Sequence, residues 1–233
     1  SAVAESLKIY ADRLEGAEDF ETALHEMIRK TIKDHKRILF NGNGYDEAWI
    51  KEATEKRGLC NYPTTPDCMP HLLDKKNVDM LTSHKVFSVA ELESRCEIML
   101  ENYCKAVTIE ANTMIDMARK EILPAVEGYV SELAKTAAAK KAVAPGIPCA
   151  YETGLVEKLS TLTDQIAVKT DELEDALLEL KGISDVKEES FAIRDTVLGK
   201  MAALRAVADE AETQTSEKYW PFPTYGELLF GVR

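Results

Sequence analysis

The sequence predicts an all-α fold, in which a long kinked central helix and a C-terminal antiparallel helical hairpin form a three-helix bundle, preceded by shorter N-terminal helices. Three observations carry this. Glycine and proline number only 11 and 8 among 233 residues, and aromatics make up 7%, which disfavours sheets joined by many tight turns. Residues 89–143 contain no glycine before Gly128 and a single proline, Pro124, so one helix of roughly 80 Å is permitted at about 1.5 Å per residue. After residue 152, apolar side chains recur at three- and four-residue spacing, as in a coiled-coil seam.

The chain is long enough for one large or two small domains with a real core. Hydrophobic residues at 45% and charged residues at 30% describe an ordinary globular composition. A formal charge of −12 argues against nucleic acid or an anionic membrane surface as a partner. No apolar run of ~18 residues suggests a membrane span. The five cysteines, Cys60, Cys68, Cys96, Cys104 and Cys149, are odd in number and widely spaced. They fit reduced thiols in a cytoplasm better than a disulfide framework. The first residue is not methionine and helical periodicity starts at once, which reads as a piece of a longer polypeptide.

Glu5 to Glu15 reads as a short helix stopped by Gly16. Glu18 to Leu39 reads as a second, with Phe20, Leu24, Met27, Ile28 and Ile32 on a core-forming face. Phe40-Asn41-Gly42-Asn43-Gly44-Tyr45 then alternates asparagine with glycine, which tolerates φ > 0. Two readings stay open for it: a nest of N–H groups for a small anion, or a helix stop and turn. Asp46 to Arg57 is a helix capped by Asp46 and ended by Gly58, and a proline-containing connector with short helices around Leu72 and Val78–Leu81 leads to the long helix.

Ser88-Val89-Ala90-Glu91 supplies a capping box for the long helix. Its projected stripe is Leu92, Cys96, Met99, Tyr103, Val107, Met114 and Met117. Beyond Pro124 the apolar direction swings by about a third of a turn, so a kink at Pro124 is expected to give the two halves different neighbours. Ala144–Pro148 reverses the chain. Leu155, Leu159, Leu162, Ile166, Leu173, Ala176 and Leu180 form the first arm's seam, broken by Lys169. Val197, Met201, Leu204, Ala208 and Ala211 form the second, running from Asp185 to about Lys218. The expected division is 1–87 as front helices and connector, 88–218 as bundle, and 219–233 as an aromatic docking tail. Trp220, Phe222, Tyr225 and Phe230 lie in that tail and would expose a large apolar patch if left in water. Either its own bundle or a neighbouring subunit or domain could cover it.

Catalytic signals are missing: no phosphate-binding loop, dinucleotide fingerprint, HExxH or paired CxxC occurs. The four histidines lack ligand spacing or an acidic triad, and no serine has a nucleophile-elbow context. Glu110 and Glu121 fall within the long helix's apolar stripe, and the last helix's seam extended backwards reaches Arg194. A partly buried Glu110–Arg194 pair that locks the helix register is one expectation; a stripe that opens to solvent there is the other.

Four stretches are similar to the C-terminal region of type III glutamine synthetases: Arg37–Tyr45, Glu55–Leu59, Ile109–Pro124 and Trp220–Phe230. The resemblance spans nearly the whole chain, and the first and last motifs are the most specific. Ser6 to Glu15 also resembles the last helices of the catalytic domain in that family. The resemblance implies a much longer enzyme that joins ammonia to glutamate through γ-glutamyl phosphate, using ATP and carboxylate-bound Mg2+ or Mn2+. It also implies stacked hexameric rings, so the implied partners are an upstream catalytic domain and neighbouring subunits of a ring-shaped homo-oligomer.

The family's metal, nucleotide and glutamate ligands lie upstream of the matched region, so no catalytic, cofactor or metal residue is carried onto this chain. Phosphoryl transfer needs clustered carboxylates and fixed cations, and this chain alone is expected to be inactive. A non-catalytic structural and assembly region is the leading expectation. The rivals are a regulatory module, in which Asn41–Tyr45 or the aromatic tail senses an anion or adaptor protein, and a stand-alone helical scaffold. The last accounts for the periodicity but not for the matching motifs.

Overall fold

In the computed structural model, which describes residues 1–231, every regular element is helical. The chain divides into two compact units, Ser1–Met99 and from Leu100 onward. The division falls inside the long helix and not at its start.

In the first unit, α1 (Ala2–Leu14) ends before Gly16, whose φ of +79° turns the chain. Asp19 caps α2 (Phe20–Asp34), accepting from Thr22 N at 3.2 Å. Neither helix buries a residue. The core expected on α2 is therefore absent: Phe20, Ile28 and Ile32 are 55, 45 and 55% exposed. A pair of helices this short has too little opposing surface to cover both apolar faces. After a 3-10 turn at Lys36–Ile38, α3 (Glu47–Lys51) runs into a π turn at Glu52–Lys56. The connector is α4 (Thr65–Cys68), a 3-10 turn (Met69–Leu73) and α5 (Lys75–Ser83).

The helix α6 (Val89–Met117) starts with the predicted capping box: Glu91 N donates to Ser88 Oγ at 3.3 Å, and Ser88 N donates to Glu91 Oε2 at 2.7 Å. Its opening turns bury Leu92 and Cys96, and the Cys96 thiol donates to Met69 O at 3.4 Å. From there the buried stripe departs from the predicted one. Met99 is 48% exposed, and burial follows Leu100, Cys104, Val107, Ala111 and Ile115. Small alanine and cysteine side chains carry little hydrophobic weight but permit close helix approach, which is why weighting by hydrophobicity favoured the methionines.

A π turn at Ala118–Ile122 joins α6 to α7 (Leu123–Val143), with Leu123 N donating to Ala118 O five residues back. This corrects the expected kink with two different neighbours. A widened turn just ahead of Pro124 makes room for its ring, which in a regular helix clashes with the carbonyl four residues earlier. The extra residue also rotates the following register by roughly 100°. That rotation compensates the swing in the sequence pattern. Cys104, Val107, Ala111, Ile115, Ala118, Ile122, Val126 and Leu133 all line one core.

The hairpin supplies the rest of that core. Its first arm is α8 (Ala150–Leu180), which buries Leu159, Leu162, Ile166, Thr170, Leu173, Ala176 and Leu180. The polar break is thus filled by Thr170, one residue beyond the expected Lys169. Its hydroxyl donates to Ile166 O at 2.7 Å, so no buried polar group is left unpaired there. The second arm is α9 (Val186–Ala192), a π turn at Ile193–Val197 and α10 (Leu198–Gln214), with Asp185 capping through Glu188 N. It buries Ile193, Val197, Leu204 and Ala211.

Ion pairs fix the helices around this seam. Arg119, on the first π turn of the bundle, donates to Glu174 at 2.9 and 2.5 Å and to Asp171 at 2.8 Å. These contacts hold its guanidinium above its ordinary pKa, Glu174 first and Asp171 second. At the far end, Lys140 pairs with the buried Glu152, while Lys158 meets Glu210 at 3.0 Å. The Lys140 ammonium, donating to the Glu152 carboxylate, holds the carboxyl below its ordinary range and itself above its own.

Two outcomes are expected. Ile166→Ala removes a fully buried side chain from the seam, and denaturant unfolding is expected to show a loss of about 2–5 kcal/mol. The depressed Glu152 pKa stabilises the fold at pH values above the ordinary carboxylate value of 4.5, and that contribution is lost as pH falls through the folded value. Scans of Tm against pH are therefore expected to place Glu152→Gln a few degrees below wild type at neutral pH, with the gap closing in acid.

Candidate interaction site

Asn41–Tyr45 folds as a turn with its N–H groups already used. Tyr45 N donates to Asn43 Oδ1 at 3.1 Å, Asp46 N to Asn43 O at 3.3 Å and Ala48 N to Asp46 Oδ1 at 2.9 Å. Neither Gly42 nor Gly44 has positive φ. The turn reading holds, and the nest reading fails because its donors are satisfied locally beside the Asp46 carboxylate. Gly42 has a different role: a Cβ there would lie 2.6 Å from the Phe40 ring. Gly44 lies in open space, and Tyr45 is 96% exposed.

The space over Gly42 lets Phe40 stack on Trp49, with centroids 3.8 Å apart. Arg57, at the end of the π turn after α3, organises this cluster. Its guanidinium lies 4.8 Å from the Trp49 ring centroid. It takes Glu52 through Nε and Nη2 at 2.9 and 2.7 Å, and Nη1 donates to the carbonyls of Arg37 and Leu39 at 3.2 and 2.7 Å. Gly58, with φ +61°, then turns the chain away. Sequence reasoning had placed Trp49 on an inner face and Gly58 as a stop but missed Arg57; its signal was an arginine just before that stop, with aromatic residues on both flanking segments.

The aromatic tail divides. Trp220 and Phe222 pack against the bundle core, edge to face at 6.1 Å, and Tyr219 lies 5.4 Å from Tyr129. They border an open groove of about 390 Å3 shared with Met114, Met117, Ile122 and Leu204. Thr224 and Glu227 form a capping box for the short helix α11 (Tyr225–Leu229). On it and just after it, Tyr225, Leu228, Leu229 and Phe230 are 83, 65, 72 and 81% exposed. The bundle covers Trp220 and Phe222, whereas Tyr225 and Phe230 project into solvent.

Glu110 and Arg194 do not form the expected buried pair. Glu110 is exposed, because the buried stripe runs through Val107 and Ala111. Arg194 donates to the adjacent Asp195 at 2.7 and 3.0 Å and lies over the Phe191 ring at 4.7 Å. The expectation failed because it relied on the unrotated stripe.

Among the described residues no group of three or more His, Cys, Asp or Glu is placed to hold a metal ion. His71 does have an acidic partner that its spacing left unnoticed: Nδ1 lies 3.0 Å from Asp74 Oδ2, and the ring stacks on Tyr62 at 4.1 Å. The Cys60 side chain, hydrogen-bonded to the Tyr62 phenol, holds that phenol above its ordinary pKa. Burial, reinforced by the Glu189 charge, pushes the Cys104 thiol up to about 11, so it stays protonated and unreactive at neutral pH. No helix among the described residues is long and apolar enough to cross a membrane. The arrangement offers surfaces and fixed cations, with no nucleophile paired to a base.

A family model described as the glutamine synthetase C-terminal domain matches residues 23–141, just over half of the chain. A glutamine synthetase of Butyrivibrio fibrisolvens is 38% identical over 216 residues, which is 93% of this chain and 31% of that protein. A type-3 glutamine synthetase of Dictyostelium discoideum is 30% identical over 217 residues, 90% of this chain and 29% of that protein. A glutamine synthetase of Bacteroides fragilis (strain YCH46) is 28% identical over 214 residues, again covering 90 and 29%. The chain thus spans less than a third of the length of these relatives.

The two turn glycines are expected to behave differently. Gly42→Ala forces the Phe40 ring off Trp49, an aromatic contact worth about 0.5–1.5 kcal/mol, and changes Trp49 fluorescence. Gly44→Ala, with nothing within 4 Å, leaves both stability and fluorescence unchanged.

Proposed function

This chain belongs to the glutamine synthetase C-terminal domain family, and from that premise we propose that it is a non-catalytic structural and assembly region of a glutamine synthetase. The observation that carries the reading is the single apolar seam along α6, α7 and the hairpin, from Cys104 to Leu133 on one side and Leu159 to Leu180 on the other. Close-packed helices braced along their length resist bending, which suits a strut between subunits. In the longer enzyme the reaction is the ATP-dependent ligation of ammonia to glutamate, supported by Mg2+ or Mn2+ bound upstream. The enzyme works in the cytoplasm.

Two exposed apolar surfaces supply the contacts. The α2 face around Phe20, Ile28 and Ile32 meets the upstream catalytic part. The α11 segment with Tyr225, Leu228, Leu229 and Phe230 meets a neighbouring subunit of the ring. Both carry large apolar side chains that a monomer in water leaves uncovered at a cost of about 25 cal/mol per Å2.

Two experiments test this. The purified chain is expected to show no glutamate-dependent ATP hydrolysis in a coupled assay; measurable turnover would refute the non-catalytic assignment. Phe20→Asp with Ile28→Asp is expected to leave the Tm of this chain within a degree or two. The same substitutions in the full-length enzyme are expected to shift light scattering from the ring assembly to smaller species, and an unchanged assembly would sink the docking role of α2.

A further inference from the structure

Lys36, Arg37 and Arg57 line one open cavity of about 410 Å3, with Leu39 as its apolar wall. Three cations converging on one cavity run against the chain's formal charge of −12. Their charge is only partly offset. Glu52 pairs with Arg57 at 2.7 Å, whereas Lys36 and Arg37 have no ion-pair partner among the described residues.

The cavity wall is held in place. Arg57 rests on Trp49 and bonds the carbonyls of Arg37 and Leu39, so one guanidinium both adds charge and fixes the backbone that carries the other two cations. The 3-10 turn at Lys36–Ile38 further restricts that backbone. Arg37 Nη1 lies 3.9 Å from where a Cβ on Gly58 would sit, so its side chain lies over the Gly58 backbone.

We propose that this cavity binds a compact polyanion of the diphosphate class, either free or as the terminal group of a nucleotide. A guanidinium fork beside an ammonium point charge suits phosphate, which presents several oxygens in different directions, better than a carboxylate with two coplanar oxygens. The bonds to Glu52 and two carbonyls occupy most of the Arg57 donors, so Lys36 and Arg37 make the direct contacts and Arg57 positions them. This site is independent of the assembly role and of the Asn41–Tyr45 turn.

The test uses the full chain at constant ionic strength, which separates site binding from general screening. Sodium pyrophosphate is titrated while tryptophan fluorescence is followed, and Tm is measured with and without it. The expected result is a saturable signal, lost in Trp49→Phe, with a raised Tm. In Lys36→Ala with Arg37→Ala, both exposed positions, the affinity falls at least tenfold. The charge-matched Lys135→Ala with Lys141→Ala retains it. ADP is run in parallel: a tighter response than pyrophosphate identifies a nucleotide as the source, and an equal or weaker one identifies the free anion. The proposal is overturned by the absence of a saturable change with either probe, by an equal response in the Lys36/Arg37 variant, or by citrate matching pyrophosphate.

Discussion

The structure of the second unit depends on keeping one apolar stripe in register along two helices that a proline interrupts. Pro124 removes a backbone donor and crowds the preceding turn, and the neighbouring π turn at Ala118–Ile122 absorbs both effects. Because that turn also advances the register, Val126 and Leu133 return to the hairpin already contacted by Ala111 and Ile115. Arg119 lies on the same turn and reaches Asp171 and Glu174 on α8, so the irregularity is tied to its neighbour by charge as well as by packing.

Function then follows from what the core does and does not cover. The bundle buries its seam and the first half of the aromatic tail, while α2 and α11 keep large apolar side chains in solvent. Rigid scaffolds with exposed apolar ends are suited to holding other bodies at fixed separations. The Arg57 cluster contributes in another way. It welds Arg37–Leu39 to the segment after α3 and gives an otherwise acidic chain one convergent group of cations.

Much of this was legible in the residues. The helical class, the Ser88 capping box, the Asp46 and Asp185 caps and the hairpin seam all followed from local spacing and end chemistry, where the physics acts over a few residues. The rotation at Ala118 was visible as a swing in the pattern but was assigned to Pro124 alone, because sequence periodicity assumes a constant number of residues per turn. The buried role of Ala111 and Cys104 was hidden because small side chains score weakly even when they allow the closest packing. The anion reading at Asn41–Tyr45 failed for a related reason: composition shows that a backbone can form a nest but not which side chains consume its donors. The division of the tail between Phe222 and Tyr225 depends on contacts far away in sequence and had no local signal.

The π turn also constrains how such a chain can change length over evolutionary time. Loss of one residue between Ala118 and Ile122 would restore ordinary helical winding, yet it would rotate everything downstream by roughly 100°. Val126 and Leu133 would then turn away from α8, and the Lys140 partnership with Glu152 would come apart. The long helix therefore tolerates insertions and deletions only in compensating pairs or beyond Val143, where the loop to α8 can absorb them.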